Sequence, residues 1–306
     1  MMLTFGPAVV VVGSVNLDTT IRVAMLPLPG ETVLAATHHP QLGGKGANQA
    51  VAAAEAGASV AIVCALGDDP AAGQALGWLR SRAVEVRPVR DLTRPTGRAW
   101  VMVGADGENA ILVDPGANAA LTADLAIAAI LDEMRGRASA APTLVAQGEV
   151  APAVVDAVAA FAREHGLRLV LNLAPVIEVG EATLRTAAPL IVNEGEATAL
   201  ARRHLGADSR PADLARRWGI DVIITLGAEG AAIISPDGEI RRVPAPPVDV
   251  VVDTSGAGDA FVGAVAAALS QGLSLDEAAR NGVAAGARAV RRWGASGIGD
   301  EQGSNR

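Results

Sequence analysis

Short apolar runs alternate with Ala-rich helical stretches through the second half of the chain. Thr143-Leu-Val-Ala-Gln147 reads as a strand and Pro152 to His165 as a helix. Leu167 to Asn172 and Leu190 to Asn193 read as the next strands, Glu196 to Leu205 as a helix, and Asp221 to Leu226 as another strand. Near the start, the run Ala8 to Val12 has the look of a buried first strand. Strands alternating with helices predict an α/β fold, a doubly wound and mainly parallel sheet with helices on both faces. Right-handed crossovers then place the carboxyl ends of the strands, and the loops after them, along one edge.

The first third breaks this pattern. Thr19 to Val23 and Glu31 to Leu34 are short extended segments separated by Pro27, Pro29 and Gly30. Further on, Arg98 to Val103 and Asn109 to Val113 flank Asp106-Gly107, and Asp-Gly between two β-rich runs is a strong hairpin signal. With no helices between them, these strands predict a small antiparallel β lid made of inserts at about 17–41 and about 95–114, carried on a single α/β domain over 1–306. Such a sheet either extends the edge of the main one or closes over a ligand and excludes water.

Several polar loops fall just past the strand ends. Gly13-Ser-Val-Asn-Leu-Asp18 alternates polar and apolar residues, so Asn16 and Asp18 can face one side. An amide paired with a carboxylate suits sugar hydroxyls; an Asx-type turn is the alternative. Gly43-Gly-Lys-Gly-Ala-Asn48 runs into the helix Gln49 to Ala54, which predicts close backbone approach and exposed N–H donors. It is not a Walker A loop, and Lys45 serves a polyol, a phosphate or only solvent. Asn193-Glu-Gly-Glu196 either caps a helix or orients waters on Mg²⁺. Thr225-Leu-Gly-Ala-Glu-Gly230 is a third Gly-rich loop of the kind that passes close to a nucleotide.

The most informative loop is Asp253-Thr-Ser-Gly-Ala-Gly-Asp259, between the apolar run Val248 to Val252 and a small-residue helix starting near Ala260. Glycines admit a ligand to the backbone, and a helix N-terminus offers N–H groups to an anion. A carboxylate beside such a hole has a reason to be there if it takes a proton. Asp259 therefore reads as a general base next to a phosphate site, the alternative being a Gly-rich turn with an acidic cap.

Composition narrows the function classes. The 306 residues carry a net charge of -8 with pI near 5.1 and form no basic stripe, so nucleic acid is not an expected partner. Only 2% are aromatic and Tyr is absent, so the core must come from Ala, Val, Leu and Ile. The single cysteine, Cys64, lies in an apolar run and cannot form an intrachain disulfide, which points to the cytoplasm. No apolar stretch reaches about 18 uninterrupted residues, so no membrane span is expected. His38, His39, His165 and His204 make no metal pattern, which disfavours a zinc hydrolase. There is no GxSxG elbow, and Gly256-Ala-Gly258 is too short for a dinucleotide fingerprint.

Taken in order, the strings Gly-Ser-Val-Asn-Leu-Asp18, Pro29-Gly-Glu-Thr-Val33, Gly43-Gly-Lys-Gly-Ala-Asn-Gln-Ala50, Gly107-Glu-Asn109, Pro115-Gly-Ala-Asn-Ala119, Asn172-Leu-Ala-Pro175, Asn193-Glu-Gly-Glu196, Thr225-Leu-Gly227 and Asp253 to Phe261 resemble the ribokinase branch of the PfkB-type sugar kinases. The resemblance runs from Val9 to Ile298. It implies ATP-dependent phosphorylation of a sugar hydroxymethyl group, with ribose as the expected pentose. Deoxyribose, another furanose or a nucleoside is the alternative substrate, and a catalytically silent sugar-binding protein is the alternative class.

By position, the resemblance makes Asp259 the base and Gly256, Ala257 and Gly258 the anion hole. It puts Asn16, Asp18, Gly44, Lys45, Gly46, Asn48 and Glu149 around the sugar. Asn193, Thr225, Gly227, Gly230 and Gly258 fall on the nucleotide side, with Val283 where a polar residue commonly borders the adenine. Mg²⁺ would be held through water by Glu196. K⁺ would sit among Asp253, Ser255, Ala289, Arg292, Gly294 and Ile298, the last standing where the pattern carries Ser. The resemblance also implies a homodimer joined through the lid.

Overall fold

The computed structural model describes residues 8–106, 108–135 and 141–295. The chain begins β1 (Val9–Val12), β2 (Asn16–Arg22), β3 (Thr37–Gly43), α1 (Lys45–Glu55), β4 (Val60–Gly67) and α2 (Pro70–Ser81). It continues β5 (Val84–Asp91), β6 (Gly97–Val103), β7 (Asn109–Asp114), α3 (Ala123–Met134), β8 (Thr143–Gln147) and α4 (Pro152–His165). Then come β9 (Leu169–Asn172), α5 (Glu181–Thr186), β10 (Ala187–Asn193), α6 (Glu194–Leu205) and α7 (Asp213–Trp218). Last are β11 (Val222–Thr225), β12 (Ala231–Ile234), β13 (Ile240–Val243), α8 (Ala257–Ser270) and α9 (Leu275–Ala289).

Nine strands form one sheet in the order β13-β12-β11-β10-β9-β8-β1-β4-β5. From β11 to β5 every pairing is parallel, and β12 and β13 add an antiparallel edge. Parallel strands are buried on both faces, which is why β4 is apolar nearly throughout and every one of its residues is buried. Side chains alternate across the sheet: Val9 and Val11 join the core under α1, α2, α8 and α9, whereas Val10 and Val12 join the one under α3 to α7. Helix ends follow local chemistry. Asp69 caps α2 ahead of Pro70, Asn193 with Glu196 and Ser274 with Glu277 form capping boxes, and Gly166 closes α4 at φ 64°.

The chain leaves β1 towards β4 on one side and later returns to pair β8 on the other. The strand order therefore reverses at β1/β8, and the crevice outside their carboxyl ends is where such sheets bind ligands. A four-stranded sheet, ordered β3-β2-β6-β7, starts from that crevice. Each insert is an antiparallel pair, β2 with β3 and β6 with β7, and the two pairs join side by side through a parallel β2–β6 pairing.

Three expectations differ in detail. Glu31 to Leu34 is irregular and exposed, while the partner of β2 is Thr37–Gly43. Glu31 is occupied in a turn, accepting from the Leu28 amide at 3.0 Å, and the polar, Pro40-containing strand is tolerated because β3 is an edge. Val248 to Val252 is irregular and leaves Val250 and Val251 65% and 58% exposed, so the loop before Asp259 does not issue from a strand. The helix after it begins at Ala257, three residues before Ala260, which places Asp259 inside the first turn. Gly107, at the hairpin tip, lies outside the described residues.

Candidate active site

Asp259 sits on the third residue of α8 and is 6% exposed. Its carboxylate is held from α1: Asn48 Nδ2 donates to Oδ2 at 3.1 Å and Gln49 Nε2 to Oδ1 at 3.0 Å. α1 and α8 come close enough for this because of Gly263. A Cβ there would stand 2.5 Å from the Gln49 carbonyl oxygen and 2.7 Å from the Ala53 nitrogen. At the head of α8, Gly256 adopts φ 73°, and a side chain on it would strike the Ala295 backbone at 2.3 Å. The Ala257 amide bonds to Thr254 O and the Ala260 amide to Gly256 O. Between them, the amides of Gly258 and Asp259 make no hydrogen bond among the described residues, so a pair of N–H groups is left for an anion beside the carboxylate.

The sugar-shell candidates converge on the same place. Asn16, at the start of β2, accepts from Asn118 Nδ2 at 2.8 Å, and Asn118 also accepts from the Val15 amide at 3.0 Å. Glu149, just past β8, gathers two elements: its Oε2 accepts the Ser14 hydroxyl at 2.6 Å and the Lys45 amide at 2.9 Å. Gly44 is the residue before α1, and Gly46 lies so near Ser14 that a Cβ would be 2.7 Å from its carbonyl oxygen. Asp18 lies over Gly43, where any Cβ would meet its carboxylate, and its Oδ1 is buried without a partner. Asn48 Oδ1 is likewise buried and unpaired. Unpaired buried acceptors are costly, by about 1–3 kcal/mol each, and are what a polyhydroxyl ligand would satisfy.

Charge is concentrated here. Burial first, then the negative charge of Glu149 and more weakly that of Asp259, push the Asp18 carboxyl up to about 7 against a hydrogen bond from the Ala99 amide. Lys45 is raised above the ordinary lysine value, chiefly by Asp259, with Glu149 and Glu196 adding to it against burial. The Lys45 ammonium thus feels the charge of Asp259, Glu149 and Glu196 together. Burial raises Glu196, while the Asn193 amide and Lys45 pull it down.

The nucleotide-side candidates lie along the same edge. Asn193 and Thr225 are register partners at the ends of β10 and β11. Asn193 and Glu196 spend one oxygen each on their capping box, at 2.8 Å in both directions, which leaves Glu196 Oε1. Gly227 and Gly230 bracket a tight turn after β11. Val283 is 6% exposed and belongs to the apolar core under α9.

The candidate cation loop is closed by Asp253. Its Oδ1 accepts the Ser255 amide at 2.9 Å and its Oδ2 the Gly294 amide at 3.1 Å. The Val252 and Asp253 amides both bond to Val290 O, tying this loop to the end of α9 beside Ala289. Arg292 directs its guanidinium away to Glu55 at 3.3 Å. Ile298 lies outside the described residues. Among the described residues no group of three or more His, Cys, Asp or Glu side chains is placed to hold a metal ion, and no helix is long and apolar enough to cross a membrane. Magnesium in phosphate sites keeps several waters and needs few protein ligands, so one carboxylate on the nucleotide side fits it.

Four contributors escape sequence reasoning as individual residues: Ser14, Gln49, Asn118 and Asn172. Each lies inside a string that was legible, yet its role depends on a partner more than a hundred residues away.

Known proteins resemble this chain over most of its length. The profile described as pfkB family carbohydrate kinase matches residues 7–301. The ribokinase of Haemophilus influenzae is 32% identical over 290 residues, 93% of this chain and 92% of that protein. The bifunctional ribokinase/ribose-5-phosphate isomerase A of Fructilactobacillus sanfranciscensis is 35% identical over 273 residues, 87% of this chain but only 49% of the relative, so this chain spans about half of it. The structure of Arabidopsis thaliana ribokinase complexed with ribose and ATP superposes with a TM-score of 0.81 at 29% identity, covering 96% of each chain. With the profile spanning nearly its whole length, the chain belongs to the pfkB family of carbohydrate kinases, enzymes that transfer a phosphoryl group to an alcohol.

Proposed function

We propose that this protein phosphorylates the hydroxymethyl group of D-ribose with ATP, giving ribose 5-phosphate. One observation carries the reading: a buried carboxylate, Asp259, stands next to two unengaged helix amides and among the polar groups of Asn16, Asp18, Lys45, Asn48 and Glu149. The relatives' names, ribokinase in each case above, support the choice of pentose.

Phosphoryl transfer through a loose transition state asks mainly for positioning and charge stabilisation. The sugar hydroxyl loses its proton to Asp259 as its oxygen bonds to the γ-phosphorus and the bond to ADP breaks. The Gly258 and Asp259 amides, with Gly256 and Ala257 shaping the turn, receive the charge on the phosphoryl oxygens. Lys45, whose ammonium feels the charge of Asp259, Glu149 and Glu196, compensates the same charge. Asn193, Thr225, Gly227 and Gly230 line the nucleotide, and Val283 forms the apolar floor near it. Glu196 would hold Mg²⁺ through water, and the ion would supply positive charge against the phosphates. K⁺ would sit in the loop closed by Asp253, with Ser255, Ala289, Arg292 and Gly294 around it, several of them offering backbone carbonyls, and would supply positive charge beside the anion hole. One α/β domain works with a lid at about 17–41 and 95–114, as a cytoplasmic homodimer joined through that lid.

A panel of ribose, deoxyribose, other furanoses and nucleosides with ATP, run with and without potassium and read as ADP release, tests this reading. Turnover on ribose well above all others is expected, rising with potassium. Preference for a nucleoside, or no ADP release with any of them, would overturn it.

A further inference from the structure

The Asp259 carboxylate is held by a directed chain of amides whose far end is a backbone carbonyl. Asn172, at the end of β9, donates from Nδ2 to the Ile191 carbonyl of β10 at 3.0 Å. A carbonyl only accepts, so that contact fixes the Asn172 amide with Oδ1 turned the other way. Oδ1 faces Gln49 and accepts from its Nε2 at 2.9 Å. Gln49 must therefore present NH₂ on this side, and its second hydrogen points to Asp259 Oδ1 at 3.0 Å. The opposite amide orientation would set Gln49 Oε1 against two acceptors. Gln49 is 0% exposed and Asn172 and Asp259 are both buried, so water cannot substitute for any link. The arrangement leaves Gln49 Oε1 buried without a partner, an orientation that space-filling alone does not call for.

We infer that Gln49 and Asn172 are positioning residues for the proposed base, acting as a relay from β10 through β9 and α1 that fixes the rotation of the Asp259 carboxylate. This rests on the reading of Asp259 as the base. With Oδ1 bonded to Gln49 and Oδ2 to Asn48, the carboxyl plane is set, and the remaining lone pairs have one direction in which to meet a sugar hydroxyl. Without the relay, the carboxylate keeps its site but loses its aim. Base catalysis depends on that aim, because the acceptor must lie within hydrogen-bond reach of the proton it takes. Gln49 touches neither sugar nor nucleotide in this assignment and acts only through Asp259.

The test uses Gln49→Met, which keeps the length of the side chain and drops its donors, and Asn172→Leu, which breaks the relay one link further back. Each is made in the wild-type and in the Asp259→Asn protein, and kcat, KM and the dissociation constant for ribose are measured, with thermal unfolding as the check on folding. In the wild-type background, Gln49→Met is expected to lower kcat roughly 10–100-fold and Asn172→Leu somewhat less, with the ribose dissociation constant changed by no more than about threefold. In the Asp259→Asn background neither is expected to lower the residual single-turnover rate further. Equal losses in both backgrounds, a loss confined to KM, or an unchanged kcat would overturn the relay. Should Gln49→Met not fold, Asn172→Leu decides by the same criteria. Failure of the base assignment is distinguishable, because Asp259→Asn alone would then retain turnover.

Discussion

Asp18, assigned to the proposed sugar shell, burdens the folded protein. Its folded value of about 7 lies above the ordinary 3.8 because burial and the charge of Glu149 disfavour the carboxylate. Between those values the folded protein keeps a proton that the unfolded chain has lost, so this group's contribution to stability falls as pH rises from about 4 through about 7. Unfolding of the sugar-free protein in urea should therefore show less stability at about pH 8 than at about pH 5, and Asp18→Asn should recover about 2–3 kcal/mol of that difference. An identical pH dependence in the variant would contradict the burden. At this scale a motif in the sequence points to a side chain by its chemistry, as for Asp259, Asn16 and Lys45, and the fold shows the surroundings of each. The sequence was silent on Gln49, which reads as the opening of an Ala-rich helix. Its contact with Asp259 spans 210 residues and exists only because Gly263 lets two helices meet backbone to backbone.

In the proposed function, α1 and the first turn of α8 carry the chemistry and the four-stranded sheet covers it. The first turn of α8 needs the left-handed backbone of Gly256 and the clearance above it. Gly256→Ala should cost about 1–3 kcal/mol of stability and lower kcat more than it raises the ribose KM, because the amide pair turns away from the phosphoryl group. Urea unfolding with steady-state kinetics measures both, and wild-type kcat would contradict the anion hole. The covering element is the four-stranded sheet, anchored by Asn16 at its base and carrying Asp18. Ribose should slow hydrogen exchange across Arg98 to Val103 and in β2. Unchanged exchange there would mean that the sheet is not a lid. Strong periodicity made the helix Pro152–His165 and the strand Thr143–Gln147 legible to the residue. Thr37–Gly43 was not legible, since a strand of His, Pro and Gln at an edge is specified by the partner it pairs with and hardly by its own pattern.

Across the whole molecule, alternation of strands and helices revealed the parallel sheet, whereas strand order is a long-range property that no local string contains. The reversal at β1/β8 brings Gly13 to Asp18, Glu149 and the α1 head to one crevice. Outside it, β7 is an edge strand with Ile111, Leu112 and Val113 between 55% and 62% exposed, an apolar strip that the proposed dimer would cover. Analytical ultracentrifugation should find a dimer that becomes monomeric on replacing Ile111 and Val113 by Lys; a monomeric wild-type protein would contradict the lid interface. In the proposed function all these parts serve a proton transfer at Asp259. The most direct measurement is the turnover of purified, folded Asp259→Asn with ribose and ATP. A loss of roughly 10²–10⁴ in kcat with ribose binding retained is expected; wild-type turnover would contradict it.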